Sequence, residues 1–453
     1  MRRHAIYPIT SLTLVMVSLL VLALAASGRA AEASKPALNQ PPEGFVALFN
    51  GKDLTGWKGL LKGPYDNPAK RVALAPDELA KLQREADEDM RAHWKAADGI
   101  ICFDGKGRSL CTAKDYGDFE MLVEWKIEKG GDSGIYLRGS PQVQIWDTAN
   151  RLVGAQVGSG GLYNNQKGPS KPLKMADKPV GEWNSFRITM IGPRVTVILN
   201  DELVVDNVIM ENYWERDKPI YPTGQIELQN HSNPLYFRNV YMREIPREKG
   251  TNELTADEKK EGFVPLFNGK DLTGWINTQG YQVNDGVLVV DPSQGGAGNL
   301  CTEKEYGDFV VRFEFRLTPG ANNGLGIRMA GQGDAAYQGM EIQILDEDSP
   351  RYRGWLKDYQ HHGSIYGVVP AKPGHLKPVG LWNSEEVTAK GKQVTVKLNG
   401  VTIVDADIEK ASTPKTIDGN EHPGLKRTTG RIGFLGHGDY LEFRNIRIKP
   451  LDK

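Results

Sequence analysis

Cysteine is scarce in this sequence, with three in 453 residues. Cys102, Cys111 and Cys301 are too few for a disulfide framework, and no CxxC pair offers a structural zinc site. A Cys102–Cys111 bridge and buried free thiols are both compatible with the spacing. An excess of either charge is also lacking, since 56 Lys and Arg stand against 57 Asp and Glu. No field therefore argues for nucleic acid or an acidic membrane surface as a partner. Helical periodicity is confined to one clear window, residues 76–95, where Leu79, Leu82, Ala86 and Met90 recur at helical spacing. No cofactor motif is found. His361 and His362 near Asp358 leave a divalent metal open, although loop histidines without spaced partners are usually solvated.

The N-terminal stretch has a different character. Arg2 and Arg3 precede an apolar run over residues 12–26, and Ala31-Glu32-Ala33 supplies a small-x-small cleavage site. This is the pattern of a secretory signal peptide over residues 1–33, with the mature chain starting at Ser34. An uncleaved anchor is the alternative, but the run is short for a full span. Export to the periplasm or the extracellular space is expected, with no stable membrane span after cleavage. The oligomeric state is left open.

What the chain does have is one unit written twice. Residues 44–57, Gly-Phe-Val-Ala-Leu-Phe-Asn-Gly-Lys-Asp-Leu-Thr-Gly-Trp, return as 262–275 with a single change, Ala47 to Pro265. The matching continues through 116–119 and 306–309, 178–185 and 377–384, then 237–239 and 443–445. Repetition at this spacing means tandem domains rather than a solenoid. They are expected at 42–246 and 260–450, with a charged linker at 247–259. Phe119, Met121, Val123, Trp125 and Ile127 alternate as in a half-buried strand, as do Phe309, Val311, Phe313, Phe315 and Leu317. Asn399-Gly400 and Asn200-Asp201 read as hairpin turns. In the last strand of each copy the apolar phase slips, which predicts a bulge. The fold class is all-β: two tandem β-sandwiches, with a short helical insertion in the first.

The most informative stretch is 131–138 with 142–147, repeated as 322–328 with 341–346. Read with a period of two, Ile135, Val143 and Ile145 point inward. Tyr136, Arg138, Gln142, Gln144 and Trp146 then share the opposite face, where the second copy carries Arg328, Glu341 and Gln343. A sheet face bearing an arginine, a carboxylate and amides is a poor core face and a suitable floor for a groove that binds something polar.

These signatures resemble the 3-keto-disaccharide hydrolase domain family. Its marks are "LFNGKDLTGW", "gDFxxxxEwri", "nSGIxxR", "xExQIxD", "PxGxWN" and a closing "HxxxxxFRNI", and both halves carry nearly all of them. The resemblance implies concanavalin A-like jelly rolls and a carbohydrate substrate, a glycoside oxidised to a ketone at C3. It also implies cleavage by removal of the C2 proton, elimination of the C1 substituent and hydration. Such chemistry needs a base, an acid for the leaving oxygen and donors for the enolate. By motif position, Glu341 or Asp346 is implied as base and Arg328 as enolate or sugar-oxygen donor. His437 is implied as acid or positioning group, with Tyr366 as a further donor and Gln343 as a substrate contact. The first copy offers Arg138, Gln144, Trp146, Asp147, Tyr163 and His231, but has Gln142 where the second has Glu341, and glutamine cannot be the base. The paired glutamates of laminarinase-type glucanases are absent, which disfavours an ordinary retaining mechanism. A lectin-like or scaffold role is the rival, as is one binding half beside one catalytic half.

Overall fold

The computed structural model describes residues 38–331 and 333–451, and the expected signal peptide at 1–33 lies outside them. Within these residues the chain forms two β-sandwiches of the jelly-roll class, each made of an eight-stranded and a five-stranded sheet, with every pairing antiparallel. In the first, the large sheet is centred on Asp118–Ile127 and Leu235–Ile245. The small sheet runs Trp57–Gly59, Leu110–Thr112, Glu227–Leu228, Asp132–Leu137, Ser140–Trp146. The second repeats this order with Trp275–Ile276, Asn299–Tyr306, Gly430–Leu435, Asn322–Met329 and Met340–Leu345.

Alternation along the strands produces the cores. Phe119, Met121, Val123 and Trp125 are all but sealed from solvent, and so are Phe309, Val311, Phe313 and Phe315. Each such side chain contributes about 1.5–3 kcal/mol on burial. The hairpins turn where Asn-Asp and Asn-Gly stand, with φ of 51° and 66° at Asn200 and Asp201, and 50° and 85° at Asn399 and Gly400. These left-handed values match the twist of the flanking strands. The phase slip is a bulge in both copies, with register breaks between Arg238 and Tyr241 and between Arg312 and Glu314. An asparagine at φ 50° (Asn239) or 54° (Asn445) makes the turn. Its side-chain oxygen is held by the backbone N–H of Asn39 or Asn252.

The insertion in the first half is a helix, Pro76–His93, opened by proline and by Asp77 and Glu78 in its first turn. Ala86 and Met90 face the core, and a Cβ on Gly59 would lie 2.1 Å from the Ala86 carbonyl oxygen, so only glycine admits the helix this close. A shorter helix, Pro68–Val72, precedes it. Periodicity could not reveal so short an element. The two sandwiches touch, with Arg194 2.8 Å from Asp291 and Arg316 donating to the Pro246 carbonyl at 2.9 Å. All three cysteines are free thiols, so the open question of a Cys102–Cys111 bridge is answered against it. Among the described residues no helix is long and apolar enough to cross a membrane.

Candidate active site

In the second sandwich, strands Asn322–Met329 and Met340–Leu345 pair so that Gly324 faces Gln343 and Gly326 faces Glu341. Ile342 and Ile344 enter the core, which leaves Glu341 and Gln343 on the outer face of the small sheet. Gly324 is the bed for the carboxylate, because a Cβ there would sit 2.2 Å from Glu341 Oε1. His437, just beyond the end of strand Gly430–Leu435, brings Nε2 to 3.4 Å from the same oxygen. Glu341 is 5% exposed, whereas the His437 side chain is 42% exposed. The histidine is thus the wet end of the pair. Its pKa is raised by the hydrogen bond to Glu341, against the opposing effect of burial, with Asp439 and Asp334 adding to the rise.

The loop after the strand completes this face. Tyr366 N–H donates to the Glu341 carbonyl at 2.9 Å, so the tyrosine lies beside Glu341 while Ile365 turns into the core. The Tyr366 hydroxyl accepts from Gln360 Nε2 at 3.2 Å, which leaves its own proton to donate. Gln343 Nε2 is anchored on Asn322 Oδ1 at 2.7 Å. Glu341, His437, Tyr366 and Gln343 therefore come together as a carboxylate, an imidazole, a hydroxyl and an amide.

The first sandwich gathers the equivalent residues with different wiring. Gln142 donates to Gln144, and Gln144 Nε2 and Trp146 Nε1 reach Asp132 Oδ1 at 2.7 and 3.1 Å. His231 pairs with Asp132 at 3.6 Å rather than with the strand residue Gln142. Tyr163 stands edge-on to Trp146, with ring centroids 5.4 Å apart. Here the histidine keeps a carboxylate partner on a different strand.

Four expected site residues are placed elsewhere. Arg138 and Arg328 do not lie on the groove face; both are 1% exposed. Arg138 ion-pairs with Asp118 at 2.6 Å and donates to the Gly117 and Gly192 carbonyls. Arg328 pairs with Asp308 at 2.9 Å and donates to the Gly391 carbonyl at 2.8 Å. Each guanidinium ties a strand end to a neighbouring turn. Asp147 and Asp346 are turn anchors, accepting from Gly130 N–H and Gly320 N–H at 2.7 Å each. Burial pushes the Asp346 carboxyl up to about 6. It faces the junction between the sandwiches, beside Asp206 and Arg187, and not the groove.

The histidine pair of the metal question is also placed. His361 lies 2.9 Å from Glu347, and His362 is buried 3.2 Å from Glu385. Among the described residues no group of three or more His, Cys, Asp or Glu is arranged to hold a metal.

Sequence reasoning missed Glu227. It occupies the central strand of the first small sheet, between Cys111 and Tyr136, where the second copy has Gly433 between Cys301 and Gly326. Burial lifts its carboxyl to about 7, opposed by Ser109 and by Arg71 of the inserted helix Pro68–Val72. Alternation with Gln225 and Gln229 was the available signal, but the strand is two residues long and gives almost no period to read.

With this geometry in place, comparison with known proteins is direct. The model of the 3-keto-alpha-glucoside-1,2-lyase-like domain matches residues 44–243 and again 262–449. A 3-keto-disaccharide hydrolase from Bacteroides thetaiotaomicron is 24% identical over 233 residues, 42% of this chain and 79% of its own length. Two crystal structures from Parabacteroides distasonis ATCC 8503, each described as a "putative glycosyl hydrolase", are similar as well. One is 30% identical, covers 44% of this chain and 99% of its own, and has a TM-score of 0.39. For the other the values are 31%, 42%, 99% and 0.37.

Proposed function

The chain belongs to the 3-keto-alpha-glucoside-1,2-lyase-like domain family in both of its halves, and from that premise we propose an exported enzyme that cleaves 3-keto-glycosides, 3-keto-disaccharides among them, on its second sandwich. A carbohydrate-active hydrolase or lyase is the coarse reading common to the family and its named relative. The observation that carries the finer one is the Glu341–His437 pair on an open polar sheet face.

The proton inventory of that pair fits the reaction. A ketone at C3 acidifies the C2 hydrogen. Glu341 takes that proton, and the C2–H electrons form the enolate, whose oxygen the Tyr366 hydroxyl can meet. Return of the electrons expels the C1 oxygen, which leaves as an alcohol with the proton of the His437 imidazolium. An enone remains. Water then adds at C1, giving a proton back to His437 while Glu341 returns its proton to C2. The products are the free alcohol and the 3-keto sugar, and both side chains are restored with no oxidant or reductant used.

The first sandwich supports a second role. Gln142 cannot be the base, yet Gln142 Oε1 and Gln229 Oε1 are buried acceptors that no donor of the described chain meets. Unpaired acceptors suit sugar hydroxyls, so glycan binding without cleavage is the reading for this half.

The test is turnover of a chromogenic 3-keto-glucoside by the intact chain, beside its unoxidised parent. Selective release from the keto form is expected. Equal turnover of both, or turnover of the parent alone, would remove the ketone from the mechanism; binding of glycan without any release would leave a lectin.

A further inference from the structure

On the same small sheet as Glu341 the second sandwich has a hollow of about 440 Å³, within the range of small-ligand sites. Its walls include Asn277, Gln279, Asn299, Cys301, Met329 and Ala335, and among the described residues no charged side chain lines it. Three of its lining residues connect to neighbours of the reacting pair. Met329 spreads over Gly326, the register partner of Glu341, with its sulfur 2.3 Å from where a Cβ would stand. Gly298, in the wall, accepts from Gly436 N–H at 3.2 Å, and Gly436 immediately precedes His437. Ala335 follows Asp334, one of the carboxylates acting on His437.

At the matching place the first sandwich is filled differently. Cys111 corresponds to Cys301, but it is fully buried, with Arg71 of the helix Pro68–Val72 near it. Among the described residues the second copy has no counterpart of this insertion.

The geometry points to this hollow as the subsite for the departing half of the substrate, a neutral second hexose, an assignment that rests on the keto-glycoside reading above. Glu341 and His437 define where C2 and the C1 oxygen must lie, and the departing group extends from that oxygen on the histidine side. Three amide side chains offer donors and acceptors to hydroxyl groups. Met329, Ala335 and Cys301 offer an apolar patch to the C–H face of a pyranose.

Gly298 provides the test. A Cβ there would meet nothing within 4 Å, and its φ lies outside the left-handed region, so Gly298→Phe fills the hollow without backbone strain. The quantity to read is the ratio of kcat/KM for a 3-keto-disaccharide to that for methyl 3-keto-glucoside, in the intact chain. Gly298→Phe should lower that ratio at least about tenfold, the scale of one or two lost hydrogen bonds, and Gln279→Ala should lower it in the same direction. An unchanged ratio in both variants overturns the assignment. So does a penalty confined to a phenyl aglycone, which would make the hollow an aryl site. Binding of free glucose, followed by ligand-observed NMR and lost in Gly298→Phe, needs no turnover. It therefore separates failure of the subsite from failure of the keto-glycoside reading: glucose binding that Gly298→Phe weakens, without turnover, keeps the first and sinks the second, and glucose binding that is absent or unaffected by Gly298→Phe sinks the first.

Discussion

Glu341→Gln is expected to cut turnover of a 3-keto-glucoside by about 10²–10⁴-fold, the usual yield of a positioned general base. Folding should survive, because glutamine is what the first sandwich carries at the matching position, where Gln142 packs over Gly134 as Glu341 packs over Gly324. The same variant should lower the titration midpoint of His437, read from its ring proton by NMR, since the hydrogen bond to Glu341 is the main cause of its rise. The sign for stability follows. A histidine raised in the folded state adds stability fully present below its unfolded value near 6.5 and lost as the pH rises through the folded value. Near-normal turnover in Glu341→Gln would place the base elsewhere on the face.

The second large effect is on folding. Arg138→Ala is expected to destabilise the first sandwich by about 3 kcal/mol, the low end for breaking a buried ion pair. The low end applies because Arg247 still holds Asp118, at 2.7 Å. The loss also leaves the Gly117 and Gly192 carbonyls without their buried guanidinium donor. Denaturant unfolding should show the shift, while 3-keto-glucoside turnover per folded molecule holds, since the proposed catalytic pair, Glu341 and His437, lies in the other sandwich. Wild-type unfolding together with collapsed turnover would return Arg138 to the role of ligand contact.

Local signals carried most of the architecture. The doubled "LFNGKDLTGW" segments, the Asn-Gly and Asn-Asp turns and the phase slip before the last strand's end each depend on a few adjacent residues, and each is realised as read. The polar face at Gln142, Gln144, Glu341 and Gln343 was legible for the same reason, because strict alternation with buried Val143, Ile145, Ile342 and Ile344 fixes its side. Alternation failed at Arg138 and Arg328. Both adopt left-handed backbone, φ 55° and 49°, which swings the side chain out of the period-two pattern and onto a distant aspartate. Asp147 and Asp346 lie one residue past their strands, where their partners at Gly130 and Gly320 depend on the tertiary hairpin. The exchange of carboxylates between the copies, Glu227 for Gly433 and Gln142 for Glu341, appears only when the sheet sets those strands side by side.

The fate of the C2 hydrogen tests the account most directly. The measurement is kcat/KM for a 3-keto-glucoside carrying deuterium at C2 against the protiated substrate, with a leaving group poor enough that chemistry limits the rate. Proton abstraction at C2 by Glu341 predicts a normal primary isotope effect on the intact chain. An isotope effect of one under those conditions, with the C2 deuterium retained in the product, would mean direct displacement at C1 and would contradict the mechanism.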